Sequence, residues 1–496
     1  MLARTYQLWV TTHKSTMAII TPVLLLYFFR LLTSHPVNPE CTGIMAMYSR
    51  NGSPRGPWSA PIVIYDPSAA NATKEWYSEM GIDNPTLVIL DNGTSLLGGR
   101  TCTRTEHPWI AKAAHWTGPY KSIDNNSQPF AQNDVEDQFM WRDHRGWWHA
   151  LHHWQTGYRN RLNNGGHSYS RDGIQWTFSQ TTAYTENITW SNGSYTIVGR
   201  RERPALLLDP VSKTPLALFS AVADIPWGPT GGHSWLQSQP IRQKIVDPPR
   251  ADFSPHARFI RRAGALAAGG DIHAGNMTVD LAKAWCNETT ECFGFTLRMP
   301  PPADTVNTVY FKSSSRTETN GDAGWVSYIK APPCNKHEDC SLNGLCDSTT
   351  GACKCDPQWL GSDCGTLALL PADPDGGYKR DGFNQWGGNP FYSDVDHKYH
   401  VFVTEMTHGC TINDFTTNSQ IVHAESSTPT GKYELSPIEF ADVGSNRRPP
   451  SESNASILVA PFSTCAHASR DPTTGALVIV FEGRNRLPDS GQKRCD

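Results

Sequence analysis

Short apolar runs broken by acidic turns recur along the chain. The stretches IDNPTLVILDNGTSLL, VEDQFMWRDHRGWWHAL, GGNPFYSDVDHKYHVFV and AHASRDPTTGALVIV each place an apolar or aromatic run on both sides of an Asp-rich turn. RERPALLLDPVSKTPLALF is a weaker form. Each reads as a strand, a hairpin turn and a second strand. Tails such as AAHWTGPY, HAESSTPTGKY and MYSRNGSPRGPW also recur, with HSYSRDGIQW as a variant. Units of roughly 50 to 70 residues built from several short strands predict propeller blades. Helical periodicity is sparse, and TVDLAKAWCNETT is its best instance. The fold class expected is all-β.

Different material separates the repeats. Residues 253–331 carry LAKAWCNETTECFGFTLR, in which Cys286 and Cys292 are placed to bridge a helix end to the next strand. This segment is faintly similar to PAN/apple-type adhesion modules. Cys334, Cys340, Cys346, Cys353, Cys355 and Cys364 follow within CNKHEDCSLNGLCDSTTGACKCDPQWLGSDC. Their spacing, with the C-x-C pair and Gly361, resembles an EGF-like domain. The resemblance implies the pairs Cys334–Cys346, Cys340–Cys353 and Cys355–Cys364. A segment this small lacks a core, so cross-links must restrict its unfolded state.

Composition narrows the function classes. The chain has 496 residues and a net charge of −4, which offers no basic field for nucleic acid. Charged residues make up only 18% while tryptophan numbers 17, a mix that suits β-rich domains and excludes long disorder or coiled coil. An apolar run, Met17–Phe29, stands behind Arg4, His13 and Lys14. It reads as a secretory signal or signal anchor within residues 1–35. Thirteen cysteines and sequons at Asn51, Asn71, Asn92, Asn125, Asn187, Asn192, Asn276, Asn287 and Asn454 agree with export.

The repeats resemble five-bladed β-propeller glycosidases, especially glycoside hydrolase family 43. In that fold the first strand of each blade lines a central funnel, and acids at the strand starts meet around a sugar. Carried over, IDNP puts Asp83 at the position of the orienting carboxylate. VED puts Glu136 at the proton donor, with Asp137 beside it. RERP brings Glu202 and Arg203 near the funnel. WGGNPF puts Asn389 where the general base belongs, and an amide cannot take a proton from water at neutral pH. Inverting glycosidases need one acid and one base, so this pattern implies binding with weak or no hydrolysis. Glu405 and Glu202 are the candidate substitutes. Strand alternation points Glu136 and Asp137 to opposite faces, leaving one as a structural acceptor of backbone N–H. Burial beside aromatic residues, with Asp83 nearby, is expected to raise the Glu136 pKa. Trp147 and His149 are candidate sugar contacts. His149 and His153 share a strand face, but without a third partner they do not make a metal site. No metal or cofactor is expected.

The repeats in residues 41–250 resemble the family's blades three to five, and those in 378–496 resemble blades one and two. The expectation is one propeller closed from both chain ends, with residues 253–331 and 334–364 inserted. The alternative is two partial propellers of a longer tandem protein. The function expected is an extracellular, glycoside hydrolase-like protein acting on or binding a polysaccharide. Its alternative is an inactive carbohydrate-binding or surface adhesion protein that meets a protein partner through the EGF-like segment.

Overall fold

The computed structural model describes residues 43–66, 82–101, 108–123, 130, 135–156, 162–226, 231–244, 258–298, 305–314, 325–439, 457–459 and 463–483. The run Met17–Phe29 and the sequons at Asn71, Asn125 and Asn454 lie outside these residues.

The acidic turns form as their chemistry dictates. Asp143 Oδ1 accepts the N–H groups of Arg145 (2.9 Å) and Trp147 (2.8 Å), and Gly146 supplies the left-handed φ of 81° that closes the hairpin. Asp209 binds the N–H groups of Val211 and Ser212 in the same way, and Asp471 that of Thr473. Each turn feeds an antiparallel sheet.

Three sheets of four strands carry the first repeats. Their inner strands are Ile82–Ile89, Val135–Arg142 and Arg200–Leu208. The outermost strand of the third is Gly377–Tyr378, which arrives from beyond the cysteine-rich segment and pairs with Ser234–Pro240. A fourth sheet has Asn384–Ser393 as its inner strand. The fifth joins distant parts of the chain. Its strands Ser463–Arg470 and Leu477–Gly483 are followed by Ile44–Ser49 and Ile62–Tyr65. In the register of Ile44–Ser49 on Leu477–Gly483, Met45 stands opposite Phe481 and Tyr48 opposite Val478.

The inner strands of different sheets contact one another in pairs. Ile82–Ile89 lies against Val135–Arg142 and Ser463–Arg470, and Arg200–Leu208 lies against Val135–Arg142 and Asn384–Ser393. Asn384–Ser393 also lies against Ser463–Arg470. Apolar clusters fill the gaps between sheets. Ile82, Leu87 and Leu97 meet Val478 and Val480 in one, and Phe219 and Leu207 meet Val401 and Val403 in another. Polar braces also cross the gaps. Thr86 Oγ1 accepts the Met140 N–H (3.2 Å), Asn389 Oδ1 that of Ala468 (3.2 Å), and His467 Nδ1 that of Leu87 (3.3 Å).

Residues 258–331 contain a separate five-stranded sheet covered by helix Val279–Glu288. Thr278 caps that helix through the Leu281 N–H, and Cys286–Cys292 ties its last turn to strand Gly294–Arg298. Closing so short a loop restricts the unfolded chain by about 2 kcal/mol. Replacing both cysteines with alanine is expected to lower stability by that amount, read from urea unfolding. An unchanged midpoint would show that the bridge does not stabilise the module.

The six-cysteine segment forms the three bridges Cys334–Cys346, Cys340–Cys353 and Cys355–Cys364. It is docked, not hanging free. Cys334, Cys340, Cys364 and Trp359 share a buried cluster with Phe139, Leu151 and Leu206 of the second and third sheets. Arg145 pairs with Asp356 (2.5 Å), Arg171 with Glu338 (2.8 Å), and Thr181 donates to Asp363 (2.5 Å).

Candidate functional site

Three consecutive inner strands begin alike. Asp83, Glu136 and Glu202 each precede a residue with left-handed backbone: Asn84 at φ 52°, Asp137 at φ 56° and Arg203 at φ 52°. The ladder slips at each point, between Asp83 and Thr86, Glu136 and Phe139, and Glu202 and Ala205. These are β-bulges, which re-aim side chains. Such backbone costs a residue with a side chain about 1–3 kcal/mol and persists only where contacts fix it.

Those contacts are present. Asn84 Nδ2 donates to Asp137 Oδ1 (2.7 Å), and Arg203 Nη1 donates to Asn84 Oδ1 (2.6 Å). Arg203 Nε lies 3.1 Å from Asp137 Oδ1, and the Arg203 N–H donates to Asp137 Oδ2 (3.3 Å). The three left-handed residues therefore interlock across three sheets. Asp137 is the acceptor of backbone N–H that strand reading assigned to one of the two acids.

The alternation rule fails here. Glu136 and Asp137 do not face apart, because the bulge turns both carboxylates toward His153. Its Nδ1 lies 2.9 Å from Glu136 Oε1 and 3.9 Å from Asp137 Oδ2. Glu202 joins them, and one ligand-type atom from each of the four residues lies within 4.8 Å of the others.

Cations hold every carboxylate of the group. Arg100 clasps Asp83 through Nε (3.0 Å) and Nη2 (2.9 Å), while its Nη1 binds Glu136 Oε2. Arg200 clasps Glu202 through Nε (2.9 Å) and Nη2 (3.0 Å). Asp137, His153, Glu202 and Arg200 are buried. The side chains of Arg100, Asp83, Glu136 and Arg203 keep 12–19% of their exposure and form the solvent side of the cluster.

The electrostatics follow from this pairing. Burial by itself opposes charge on Glu136, but Arg100, His153 and Arg203 outweigh it and hold the pKa well below the usual carboxylate range. This overturns the expected rise, because Arg100 stands between Asp83 and Glu136 and replaces their repulsion with shared attraction. Burial pushes Asp137 up to about 6, with Arg203 opposing and Glu136 adding. Burial disfavours the His153 cation, yet Glu202, Glu136 and Asp137 raise it to about 9. His153 is thus an imidazolium at neutral pH. Three guanidiniums and this imidazolium face the four acids.

The fourth inner strand breaks the series. Its left-handed residue is Gly387 at φ 76°, and the residue before it is Trp386. The last paired residue before the slip is Gln385, so this strand carries no acid at that point, and Trp386 is buried with the Arg200 guanidinium 4.1 Å from its ring centre. Gly387 itself must be small. A Cβ there would sit 3.0 Å from Arg203 Cβ.

Other expected site residues lie elsewhere. Asn389 is the brace to Ala468 described above, and among the described residues it makes no hydrogen bond to the acids. Trp147 lies between the guanidiniums of Arg145 and Arg171, beside His337 of the six-cysteine segment. His149 is buried between Trp141 and His167. Both are packing residues near the docked segment and do not touch the acid cluster. Glu405 is buried and bound by Tyr378 (3.1 Å), Arg380 (2.9 Å) and Gln420 (2.9 Å), so it is not poised as a base. Arg100 and Arg200 were not singled out in the sequence, although Arg100 is the direct cross-strand partner of Asp83.

Residues 334–364 match the EGF-like domain family, with all three expected bridges in place. This segment is an EGF-like domain. Through it Asn343 Nδ2, which donates to the Cys364 carbonyl (3.0 Å), also approaches His167 Nδ1 (3.5 Å). The EGF-like domain thus contacts the same histidine that stacks on His149. No curated protein matches this chain. Solved structures similar to it include a thermostable family-43 glycoside hydrolase, 8% identical over 84% of this chain and 96% of that one, with a TM-score of 0.34. The endo-1,5-alpha-L-arabinanase from Thermotoga petrophila RKU-1 is 11% identical over 84% and 70%, with a TM-score of 0.36. The GH43_1 enzyme from Xanthomonas citri complexed with xylose is 10% identical over 81% and 86%, with a TM-score of 0.32. These are likenesses at low identity and score; the assignment of the site rests on this chain's own residues.

Proposed function

We propose that this protein binds an oligosaccharide at the Asp83–Arg100–Glu136–Arg203 cluster and hydrolyses it slowly or not at all. One observation carries the reading: the three acids in equivalent positions are all clasped by guanidinium groups, and the fourth strand has no acid there, with Gln385 and Trp386 at its bulge. A glycosidase acid must hold a proton at working pH. Glu136 is held ionised by Arg100 and His153. Carboxylates and guanidiniums at the rim remain good partners for sugar hydroxyls.

In this proposal the five sheets are the blades of one five-bladed propeller, closed through the sheet that both chain ends build. The EGF-like domain and the adjoining module, likened to an apple-type fold, emerge from it. The disulfides, among them Cys286–Cys292 and the three of the EGF-like domain, support an exported, extracellular protein. A protein partner of the EGF-like domain would meet its outer hairpin, Gly344–Cys355, since the opposite side is packed against the sheets.

Titration against a panel of neutral and acidic oligosaccharides should give millimolar or better affinity. Glu136→Gln should weaken binding about tenfold, or ~1.4 kcal/mol. No binding across a broad panel would refute the proposal, and brisk hydrolysis by the wild type would refute its catalytic half. A hydrolase reading has one point in its favour. Glu136 and Asp137 are driven to opposite protonation tendencies, as acid and base pairs are. Activity near pH 6 that Asp137→Asn abolishes would select that reading.

A further inference from the structure

Three sequons stand in turns of one geometry, those at Asn92 and Asn192 being hairpin tips. A left-handed glycine follows each asparagine: Gly52 at φ 72°, Gly93 at 83° and Gly193 at 83°. The amide oxygen of each asparagine accepts the N–H of the hydroxyl residue two positions on. The distances are 3.0 Å from Ser53 to Asn51, 3.0 Å from Thr94 to Asn92 and 2.9 Å from Ser194 to Asn192. All three asparagines are exposed. With the oxygen tethered to the turn, the planar amide turns its nitrogen outward.

The turns differ in the room around them. A Cβ on Gly193 would meet nothing within 4 Å, and one on Gly93 would find Thr473 Cγ2 at 3.5 Å as its nearest neighbour. A Cβ on Gly52 would run into the Arg470 guanidinium and the Gly475 carbonyl. Pro54 also follows that sequon directly. Asn187, by contrast, is half-buried and its amide oxygen is shielded from solvent. Whenever a sugar is attached, the native fold can carry it only on a nitrogen that ends in solvent.

Asn192 has a further distinction. It tips the hairpin Asn187–Thr189/Tyr195–Ile197, whose second strand leaves Tyr195 65% and Ile197 53% exposed. Such apolar surface is a liability unless something covers it.

We propose that Asn192 and Asn92 are N-glycosylated, and that the glycan on Asn192 covers the Tyr195–Ile197 strand. The donor is a lipid-linked diphospho-oligosaccharide. Asn Nδ2 forms the new bond to the anomeric carbon, the bond from that carbon to the diphosphate oxygen breaks, and the amide proton passes to a base of the transferase. The proposal rests on the exported reading given above.

The test uses the full chain made in a eukaryotic secretory host. Peptide N-glycosidase treatment in heavy-oxygen water converts each occupied asparagine to labelled aspartate, read by peptide mass spectrometry. Near-complete label at Asn192 and Asn92 is expected, with none at Asn187. Protein with its EGF-like disulfides formed but unlabelled at Asn192 and Asn92 overturns the proposal while leaving export standing. Protein recovered with reduced cysteines and no label overturns both. Ser194→Ala should lose one glycan mass and bind more of a hydrophobic probe dye, whereas Ser194→Thr should match the wild type. Unchanged dye binding by Ser194→Ala would remove the covering role.

Discussion

Arg100→Met is expected to be among the most damaging single substitutions in this protein, at about 3–5 kcal/mol. Asp83 and Glu136 share that one guanidinium, and both carboxylates are largely shielded from water. Removing it strips Asp83 of its clasp in a poorly solvated place and leaves Glu136 to His153, which costs more than losing an exposed ion pair. Urea unfolding measures the loss. Adding Asp83→Asn and Glu136→Gln to the same chain should recover a large part of it, because the uncompensated charges vanish. A single-variant loss below about 1 kcal/mol would show that solvent reaches the acids and that Arg100 is peripheral.

Stability should also fall between pH 6.5 and pH 9. The His153 pKa is raised to about 9 by the carboxylates around it, so the folded state holds its proton more tightly than the unfolded chain. That stabilisation is fully present below the ordinary histidine value near 6.5 and is lost as pH rises through 9. A shift of this size corresponds to about 3 kcal/mol. Asp137 acts in a lower window. Its pKa is raised to about 6, so its contribution declines as pH rises from about 4 to 6. Glu136, whose pKa is depressed, works the other way and is lost as pH falls below about 4.5. The alkaline window therefore isolates the histidine. Denaturant midpoints at pH 6.5 and 9 should differ in the wild type and converge in His153→Gln. An equal slope in both proteins would mean that His153 is not the group responsible.

Much of the fold was legible in the chain because its signals are local. Asp143, Asp209 and Asp471 announce their turns, and the apolar runs on either side can only be strands. The cysteines of residues 334–364 resemble an EGF-like domain, and the pairing that resemblance implies is the one formed. The site was legible in its residues and not in its geometry. Asp83, Glu136, Asp137, Glu202 and Arg203 do gather, yet alternation sent Glu136 and Asp137 to opposite faces. Nothing in VEDQ signals that Asp137 adopts a left-handed backbone, since the conformation is fixed by Asn84 and Arg203 on other strands. Asn389 misled for a related reason. Its place beside a proline resembles a catalytic Asp-Pro, but the bulge of that strand falls at Trp386–Gly387 and sets Asn389 between sheets instead. The arginines were harder. Arg200 stands two residues from Glu202 and so shares its face, a pattern visible in RRERP. Arg100 required knowing how two strands register across a hairpin.

The sheet assembled from both ends of the chain sets a schedule for synthesis. Strand Ile44–Ser49 is translated well before its partner Leu477–Gly483. Until then one edge of Ile44–Ser49 has no strand to bond, and the apolar residues Ile44, Ala46 and Met47 lack the layer that later buries them. The EGF-like disulfides, by contrast, need only nearby cysteines. A nascent chain would thus carry finished, cross-linked insertions on an unfinished scaffold. Unpaired edges of this kind invite intermolecular pairing, which makes folding yield, ahead of final stability, the property most exposed to mutations in these two strands.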